Sequence, residues 1–337
     1  MTAVTIAIDC MGGDFGPSVM IPSACEALAR HANLSLLLVG NPELIEAELA
    51  KAGSISAERY SIIEASQTIE MDEKPSQALR KKTDSSMAVA LNHVAESNAQ
   101  ACVSAGNTGA LMALSRSILK TIPGVTRPAI ISEIPTETGR TRVVDLGANV
   151  DCSPDQLYQF ALMGSCLVSA VDHTDQPTVW LLNNGTEDIK GNVQTRATAN
   201  LLQQSPYLNY SGYVEANDVY RGIADIIVCD GFVGNVFAKA SEGTVRMLTH
   251  HLYKEFKRNF LTRVLSVIVK PVLNAFRNDI NPDRYNGASF IGLQGIVIKS
   301  HGAANRWATL SAIEEAISEI ENNVPEKISA QLQQQLN

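Results

Sequence analysis

The chain lacks the short motifs that mark the commonest nucleotide-binding and hydrolytic sites. It has no Gly-x-x-x-x-Gly-Lys-Ser/Thr pattern, which argues against a P-loop nucleotidase. It has no Gly-x-Gly-x-x-Gly pattern after an apolar run, which weakens a dinucleotide-binding interpretation. It also has no Gly-x-Ser-x-Gly pattern, so the serine nucleophile of an α/β-hydrolase has no support.

Metal-binding and disulfide patterns are missing as well. None of the six cysteines forms a Cys-x-x-Cys pair, and the six histidines form no His-Glu-x-x-His motif. We therefore predict no metal site and no cofactor. Most of the cysteines lie in apolar runs, which favours free thiols in a reducing cytoplasm over disulfides.

Basic charge is scarce, because 27 Lys and Arg residues stand against 35 Asp and Glu residues, a net charge of −8. This balance argues against general nucleic-acid binding, which needs a basic surface. The chain has no run of about 18 apolar residues and no basic leader, so neither a spanning helix nor a secretory signal is expected. With 45% hydrophobic residues, the composition is typical of a globular cytoplasmic protein.

Short apolar runs alternate with segments of helical period along most of the chain, which predicts a three-layer α/β/α fold with a mostly parallel sheet. The predicted strands are Val4–Asp9, Leu34–Gly40, Tyr60–Ala65, Ala101–Gly106, Ala129–Pro135, Thr141–Gly147, Thr178–Gly185, Ala224–Gly231 and Ser289–Ser300. The predicted helices include Ser85–Asn98, Pro154–Val171, Asp188–Gln203 and Ala303–Glu321. We expect a single catalytic domain over residues 1–324, followed by a polar tail at 325–337.

Four stretches place polar residues and glycines where predicted strands end, which is where ligands gather in this kind of fold. They are Asp9–Pro17, Ser104–Met112, Asn183–Asn192 and Asp230–Gly243. The first is a candidate glycine-rich loop formed by Asp9, Gly12, Gly13 and Asp14. Two of the stretches share a Gly-Asn turn before a helix, at Gly106-Asn107 and at Gly234-Asn235.

A glycine turn that leads into a helix can bind a small anion without a lysine, because the first N–H groups of a helix are unpaired and carry partial positive charge. The alternative is that Gly, Asn and Thr simply cap the helices and turn the chain. For one turn both interpretations stay open, but two such turns favour a site.

Basic residues near these stretches add to the candidates. Arg80, Lys81 and Lys82 precede a predicted helix and could hold a phosphate or an acidic partner, although Lys81 and Lys82 fit a solvated surface better. Lys299 and His301 follow the last apolar run, and together they suggest a ligand-side loop.

The segment 252–281 differs from the rest of the chain, since it carries six basic and two acidic residues in a protein of net charge −8. Its apolar residues recur at helical spacing, and Pro271 predicts a break between two helices of a hairpin inserted in the domain. The apolar positions are Phe256, Phe260, Val264 and Ile268. A basic amphipathic helix of this kind suits a membrane surface or an acidic partner, and a dimer interface is an equal alternative.

With these residues in view, the chain resembles the bacterial phosphate acyltransferases of phospholipid synthesis. The resemblance runs from about residue 6 to about 320 and rests on seven motifs that are jointly specific. They are DCMGGDFGP, KPSQALRKKTDSSM, SAGNTGALM, RPAIISEIPT, VVDLGANVDCSPDQLYQFALMG, DGFVGNVFAKASEG and GIVIKSHG. The departures are small: Cys10 stands where the family often has alanine, and NNGTED replaces a stretch nearer to NIGEE.

The resemblance implies an enzyme that moves a long acyl chain from acyl carrier protein to inorganic phosphate. The acyl phosphate product would feed a membrane glycerol-3-phosphate acyltransferase. It also implies a fold like that of phosphotransacetylase and the isocitrate and isopropylmalate dehydrogenases, a homodimer, and loose attachment to the inner face of the cell membrane. The alternatives are another acyl-CoA or phosphate transferase, an NAD-dependent dehydrogenase of the same fold, or a non-catalytic scaffold at the membrane.

Loop position suggests the roles of individual residues. We expect the phosphate to be bound by Gly106, Asn107 and Thr108, together with Lys190 or Lys239. We expect the residues around the thioester to be Asp230, Asn235, Lys299 and His301. Because the nucleophile would be an oxygen of the phosphate, the lack of a serine or cysteine nucleophile motif fits this chemistry.

Overall fold

The computed structural model describes residues 3–52, 56–279 and 285–336. Within these ranges a single sheet of eleven strands runs through the molecule. The strands are β1 (Val4–Asp9), β2 (Leu34–Gly40), β3 (Tyr60–Glu64), β4 (Ala101–Ser104), β5 (Ala129–Thr136), β6 (Gly139–Val144), β7 (Thr178–Asn183), β8 (Asn209–Glu215), β9 (Ile226–Val228), β10 (Ala288–Ile291) and β11 (Ile296–Lys299).

Helices cover both faces of this sheet, and the predicted α/β/α layers are confirmed. They are α1 (Pro17–Arg30), α2 (Pro42–Ala52), α3 (Pro75–Lys81), α4 (Ser86–Ala95), α5 (Thr108–Ile118), α6 (Pro154–Val171), α7 (Val193–Gln204), α8 (Gly231–Phe256), α9 (Phe260–Ile268), α10 (Lys270–Asp279), α11 (Arg306–Glu321) and α12 (Val324–Leu336). Two short 3₁₀ turns lie at Ala57–Arg59 and Val219–Arg221.

The strand order is β3-β2-β1-β4-β11-β10-β5-β6-β9-β7-β8. Among the described residues, seven of the ten strand pairings are parallel, and the three antiparallel ones are β11–β10, β10–β5 and β5–β6. As a result β1, β4 and β11 run in one direction, whereas β6, β9 and β7 run in the opposite one. The four polar strand-end stretches therefore divide into two pairs, at opposite ends of the strands.

Side-chain alternation along the strands assigns each helix to a face. On β1, Ile6 and Ile8 join the cluster under α1 and α11, while Ala7 joins the cluster under α4 and α5. On β9, Ile226 and Val228 pack toward α6, while Ile227 lies on the side of α8. The central strands are apolar on both faces, as strands covered by two helical layers must be.

Local signals set the ends of α6, which matches the predicted range. Ser153 caps the helix by accepting the N–H of Gln156, and the Gln156 side chain accepts the N–H of Ser153 in return. Pro154 occupies the first turn, where its missing N–H costs nothing. The other predicted helices begin one to five residues later than expected, at their own capping residues Ser85, Asn192 and Asn305.

Two predictions from the sequence need correction. The run Ser289–Ser300 is not one strand but the antiparallel pair β10 and β11, because Gly292 turns the chain with a φ of 91°. The segment 325–337 was expected to be a polar tail. Its residues as far as 336 instead lie in helix α12. Val324, Ile328 and Leu332 recur every four residues on one face of α12 and are buried against α6.

The segment 252–281 consists of the end of α8, then α9, then α10, so the expected two-helix hairpin is not confirmed in detail. The chain breaks at Asn259, which caps α9, and again at Val269, one residue before α10. Pro271 is the second residue of α10, where it is tolerated. Residues 280 and 281 lie outside the described ranges.

No helix in the described ranges is long and apolar enough to cross a bilayer.

Candidate functional site

Three adjacent strands end side by side in a row of polar residues. Asp9 at the end of β1 pairs in register with Ser104 at the end of β4, and Ser104 pairs with Lys299 at the end of β11. All three are buried. Because they share a register position, their side chains emerge on the same face of the sheet, toward α4, α5 and α8.

The carboxylate of Asp9 is the centre of this row. It accepts the hydroxyl protons of Ser86 and Ser104, each over 2.6 Å, and the backbone N–H groups of Met11 and Gly12. Burial raises the pKa of Asp9 above its usual value, and these four hydrogen bonds oppose that shift. Asp9 thus fixes the glycine-rich loop, the start of α4 and the end of β4.

The glycine-rich loop is tightly packed against the turn after β4. A Cβ at Gly12 would lie 2.6 Å from the Asp9 carboxylate and 2.7 Å from the N of Gly106. Gly13 has a φ of 87°, a conformation that glycine adopts readily. The N–H of Asp14 donates to the carbonyl of Gly302 over 2.8 Å. The loops that follow β1, β4 and β11 therefore meet.

Lys299 is a buried cation held by this junction. Its Nζ donates to the carbonyl of Ala105 over 3.1 Å and also to the carbonyl of Ser300. Burial lowers the pKa of Lys299 to about 8, while the negative charges of Asp9 and Asp14 act in the opposite direction. The amine is therefore mainly protonated at pH 7 and loses its proton in mildly alkaline solution.

His301 lies two residues further on and is better exposed. Its backbone N–H donates to the side chain of Asn286 over 2.9 Å, and its Nδ1 accepts the N–H of Ala303 over 3.2 Å. The neutral ring therefore carries its proton on Nε2. Partial burial lowers the pKa of His301, and the positive charges of Lys239 and Lys299 lower it further.

Lys239 of α8 reaches the same region. Its charge acts on both Lys299 and His301, and its Nζ forms an exposed ion pair with Glu242 at 3.1 Å. Lys190, in contrast, lies in the loop after β7, where its side chain packs beside Gly185. Since β7 runs opposite to β11, the structure brings Lys239 but not Lys190 toward Lys299.

The polar groups of the turn at Gly106-Asn107 mostly form hydrogen bonds within the protein. The N–H of Gly106 donates to the Ser104 hydroxyl over 3.1 Å. Asn107 caps α5 by accepting the N–H of Ala110, and its Nδ2 donates to the carbonyls of Met71 and Glu73 over 2.8 and 3.0 Å. These contacts fit the capping alternative for Asn107. Thr108 is exposed as the first residue of α5, and anion binding at this turn stays a prediction.

The second turn belongs to a separate polar centre. Asp230 caps α8 by accepting the N–H of Val233 over 2.8 Å, and Asn235 packs against Gly147. Gly234 lies against the main chain, since a Cβ there would be 1.9 Å from the carbonyl oxygen of Asp145. The Asp230 and Asn235 pair thus lies near the carboxyl ends of β6 and β9, and α8 connects it to the region of Lys239.

Asp145 organises this second centre much as Asp9 organises the first. It is fully buried and accepts four backbone N–H groups and the Nδ2 of Asn149. The four donors are the N–H groups of Ile130, Gly147, Ala148 and Asn149. Burial raises the pKa of Asp145, and these hydrogen bonds lower it. The only sequence signal was its position at the end of the run VVD.

Four residues that shape the two centres were not among the candidates from the sequence: Ser86, Ser104, Asp145 and Asn286. Ser104 could have been found, because it ends a predicted strand directly before the Gly-Asn turn. Ser86 and Asn286 act from segments distant in the sequence, so only the fold reveals them.

A family profile and several relatives match nearly the whole chain. The profile of a family described as "Fatty acid synthesis protein" matches residues 4–327. A protein of Legionella pneumophila (strain Paris) named phosphate acyltransferase is 51% identical over 337 residues, covering 100% of this chain and 98% of its own length. One of Nitrosococcus oceani with the same name is 53% identical, over 98% of this chain and 97% of its own.

Two solved structures share the fold of this chain. A phosphotransacetylase from Streptococcus pyogenes matches with a TM-score of 0.63 at 18% identity, over 95% of this chain and 94% of its own. A branched-chain phosphotransacylase from Enterococcus faecalis V583 matches with a TM-score of 0.56 at 13% identity, over 95% and 99%. At these identities the likeness concerns the fold, and it confirms the predicted fold class.

Proposed function

We propose, because the chain belongs to the phosphate acyltransferase family, that it transfers a long-chain fatty acyl group from the thioester of acyl carrier protein to inorganic phosphate. Family membership makes the chain an acyltransferase of lipid biosynthesis that acts between an acyl group and phosphate. The acyl carrier protein as donor, the chain length and the fate of the product are the proposed parts.

The observation that carries the proposal is the buried cation Lys299 at the ends of β1, β4 and β11, with a second cation, Lys239, and the imidazole of His301 near it. Lys299 is buried and mainly protonated at pH 7, and both His301 and Lys239 lie within its electrostatic reach. A buried ammonium without a carboxylate hydrogen-bonded to its nitrogen is well suited to a small anion.

The chemistry needs little from the protein beyond positioning and charge. A phosphate oxygen attacks the thioester carbon, a C–O bond forms, and the C–S bond breaks as the carrier thiolate leaves. Lys299 would neutralise the phosphate, and the Nε2–H of His301 would donate to the developing oxyanion or to the departing sulfur. The proton that hydrogen phosphate loses on acylation passes to the thiolate, directly or through the His301 ring, and acyl phosphate leaves.

The helices of the segment 252–281 expose apolar and basic side chains that suit attachment to another surface. Phe260 is 83% exposed, Ile268 is 68% exposed and Val264 is 42% exposed, whereas Phe256 is partly covered. Five basic residues accompany them: Lys254, Lys257, Arg258, Arg263 and Lys270. We propose that this surface attaches the cytoplasmic enzyme to the inner face of the membrane, contributes to a homodimer, or does both.

Such a location fits the product. A long-chain acyl phosphate is amphipathic, and a membrane glycerol-3-phosphate acyltransferase would consume it on the way to phosphatidic acid. An acidic carrier protein would be drawn to the basic residues of the same helices.

The test is an assay of carrier-protein release that depends on phosphate. The purified enzyme is given acyl carrier protein loaded with a long-chain acyl thioester, with and without phosphate. The acyl phosphate formed is trapped with hydroxylamine. Parallel reactions with acyl-CoA, and with NAD and a hydroxy acid, test the alternative enzymes. Release only with acyl-CoA, or hydride transfer, contradicts the proposal, and liposome binding without any turnover would indicate a scaffold.

A further inference from the structure

We propose that Ser86 and Ser104 are positioning residues that act through Asp9 to hold the Lys299 amine against the turn after β4. The proposal rests on the proposed function in one respect, since it takes Lys299 to be part of the reacting site. Neither serine needs to touch the substrate. Both are buried, and each donates its only hydroxyl proton to Asp9.

The direction of the hydrogen bonds follows from the donors present. Asp9 receives two hydroxyl protons and two backbone N–H groups, so every partner is a donor and the ionised carboxylate satisfies all of them. Because the Ser104 proton points to Asp9, its oxygen is free to accept the N–H of Gly106 over 3.1 Å. With Asp9 ionised, the Ser104 hydroxyl has one orientation.

This orientation reaches Lys299 through one residue. Ala105, between Ser104 and Gly106, provides the carbonyl that accepts the Nζ of Lys299 over 3.1 Å. The Ser104 hydroxyl holds both ends of the segment 104–106. It bonds Ser104 to Asp9, and it accepts the N–H of Gly106. The Asp9 network therefore sets the position of the carbonyl to which the amine is bonded.

Asp9 also acts on Lys299 by charge. The two residues are two strands apart in register, which places them about 10 Å from each other. At an effective dielectric constant of about 20, a negative charge at that separation raises the pKa of Lys299 by about one unit. Among the described residues, the other charged or titratable groups that act on or respond to Lys299 are Asp14 in the glycine-rich loop, Lys239 on α8, and His301.

The first experiment measures the amine itself and does not depend on the reaction. The pKa of Lys299 is determined from the pH dependence of its acetylation by a trace of acetic anhydride, read by mass spectrometry of the Lys299 peptide. Asp9→Asn should lower the Lys299 pKa by about one unit, because it removes a negative charge. Ser115→Ala is the matched control, since Ser115 is equally buried and its hydroxyl has no hydrogen-bond partner among the described residues.

The second experiment measures turnover. Ser86→Ala and Ser104→Ala should each lower kcat about tenfold, with the KM for the acyl donor changed less than about twofold. Ser104→Thr, which keeps the hydroxyl, should recover most of the lost rate, and Ser115→Ala should behave as wild type.

An unchanged Lys299 pKa in Asp9→Asn overturns the proposal, and so does wild-type kcat in both serine variants. If Asp9→Asn does not fold, the kinetic comparison of the serine variants decides. A wild-type enzyme that forms no acyl phosphate would contradict the proposed function, while the acetylation experiment would still test the Asp9 network.

Discussion

The guanidinium of Arg142 and the carboxylate of Glu315 meet at 2.8 Å in the interior and join β6 to α11. Arg142 also binds Glu133 of β5 at 2.7 Å and Asp172 at the end of α6 at 3.0 Å. Since α11 packs on β11 and β4, this cluster connects the two groups of strands that run in opposite directions. The candidate site depends on that connection, because Lys299 ends β11 in one group of strands, whereas Lys239 lies on α8, which follows β9 in the other group.

We expect Arg142→Met to destabilise the protein by about 3–5 kcal/mol, because it leaves three carboxylates beside each other in a buried place. Arg140→Met is the matched control. Arg140 pairs with Glu133 and Asp172 too, but its side chain is 49% exposed against 2% for Arg142. The control should cost about 1 kcal/mol or less. Urea unfolding measures both, and equal losses in the two variants would contradict the expectation.

Glu319 makes stability depend on pH. It is fully buried near Glu315, and burial raises its pKa well above the ordinary 4.5. The folded state therefore binds a proton that the unfolded state releases, so this stabilising contribution is complete below about pH 4.5 and is lost as the pH rises through the raised pKa.

Glu319→Gln keeps the shape and removes the titration. Its free energy of unfolding should change less with pH than that of the wild type, with the difference growing by at most about 1.4 kcal/mol per pH unit. Urea unfolding at several pH values between about pH 5 and pH 9 measures the free energy of unfolding of both proteins across the interval in which Glu319 titrates. Parallel pH curves for the two proteins would show that Glu319 is ionised in the folded state.

Much of the fold could be predicted from sequence because its central strands are short apolar runs between helices. Strand direction could not, since an apolar run reads the same either way, and this is why the candidate residues were not expected to divide between two centres. The run Ser289–Ser300 shows the same limit, because two antiparallel strands around Gly292 look like one long strand.

The candidate site was partly predictable for a related reason. Asp9 and Lys299 stand at strand ends, where polar residues after apolar runs are conspicuous. Ser86 and Asn286 lie in no such position, and their hydrogen bonds to Asp9 and to Ser300 depend on contacts across the fold. Asn107 carried a turn signal, but its side-chain contacts with residues 71 and 73 could not be read from its neighbours.

We expect Gly234→Ala to displace the start of α8, because the new Cβ would fall 1.9 Å from a backbone oxygen that cannot move aside easily. The variant should lose both stability and activity. Gly243→Ala on the same helix is the control, since no other atom in the described part of the chain lies within 4 Å of its Cβ position. It should gain about 0.5–1 kcal/mol from its higher helix propensity. Thermal unfolding distinguishes the two, and a stable, active Gly234→Ala would contradict the observed packing.

The exposed face of α9 offers a test of the proposed surface. Val264→Glu places a charge among apolar side chains and should reduce binding to vesicles of anionic phospholipid about tenfold or more, while turnover of soluble acyl donor stays near wild type. Ser266→Glu adds the same charge two residues away and controls for charge alone. Sedimentation gives vesicle binding and light scattering gives the oligomeric state. Unchanged binding with loss of the dimer would assign this face to the dimer interface.

The pKa of Lys299 predicts how turnover depends on pH. If protonated Lys299 binds phosphate, kcat/KM for phosphate should fall as the pH rises through about 8, because the amine then loses its charge. Lys299→Met should lose about 100-fold or more in kcat/KM and no longer show this alkaline limb. A limb that persists in Lys299→Met would assign the titration to another group.

Lys239 and Lys190 separate two accounts of the phosphate site. The charge of Lys239 lowers the pKa of Lys299, so Lys239→Ala should move the alkaline limb to higher pH and raise the KM for phosphate several-fold. Lys190 lies in the loop after β7, beside Gly185, and Lys190→Ala should leave the position of the limb unchanged. Steady-state rates at varied phosphate concentration between pH 6.5 and pH 9.5 (about 1.5 units on each side of the limb) measure both effects. If Lys190→Ala moved the limb and Lys239→Ala did not, phosphate would bind at the strand ends of β7 and β9, and Lys299 would act elsewhere.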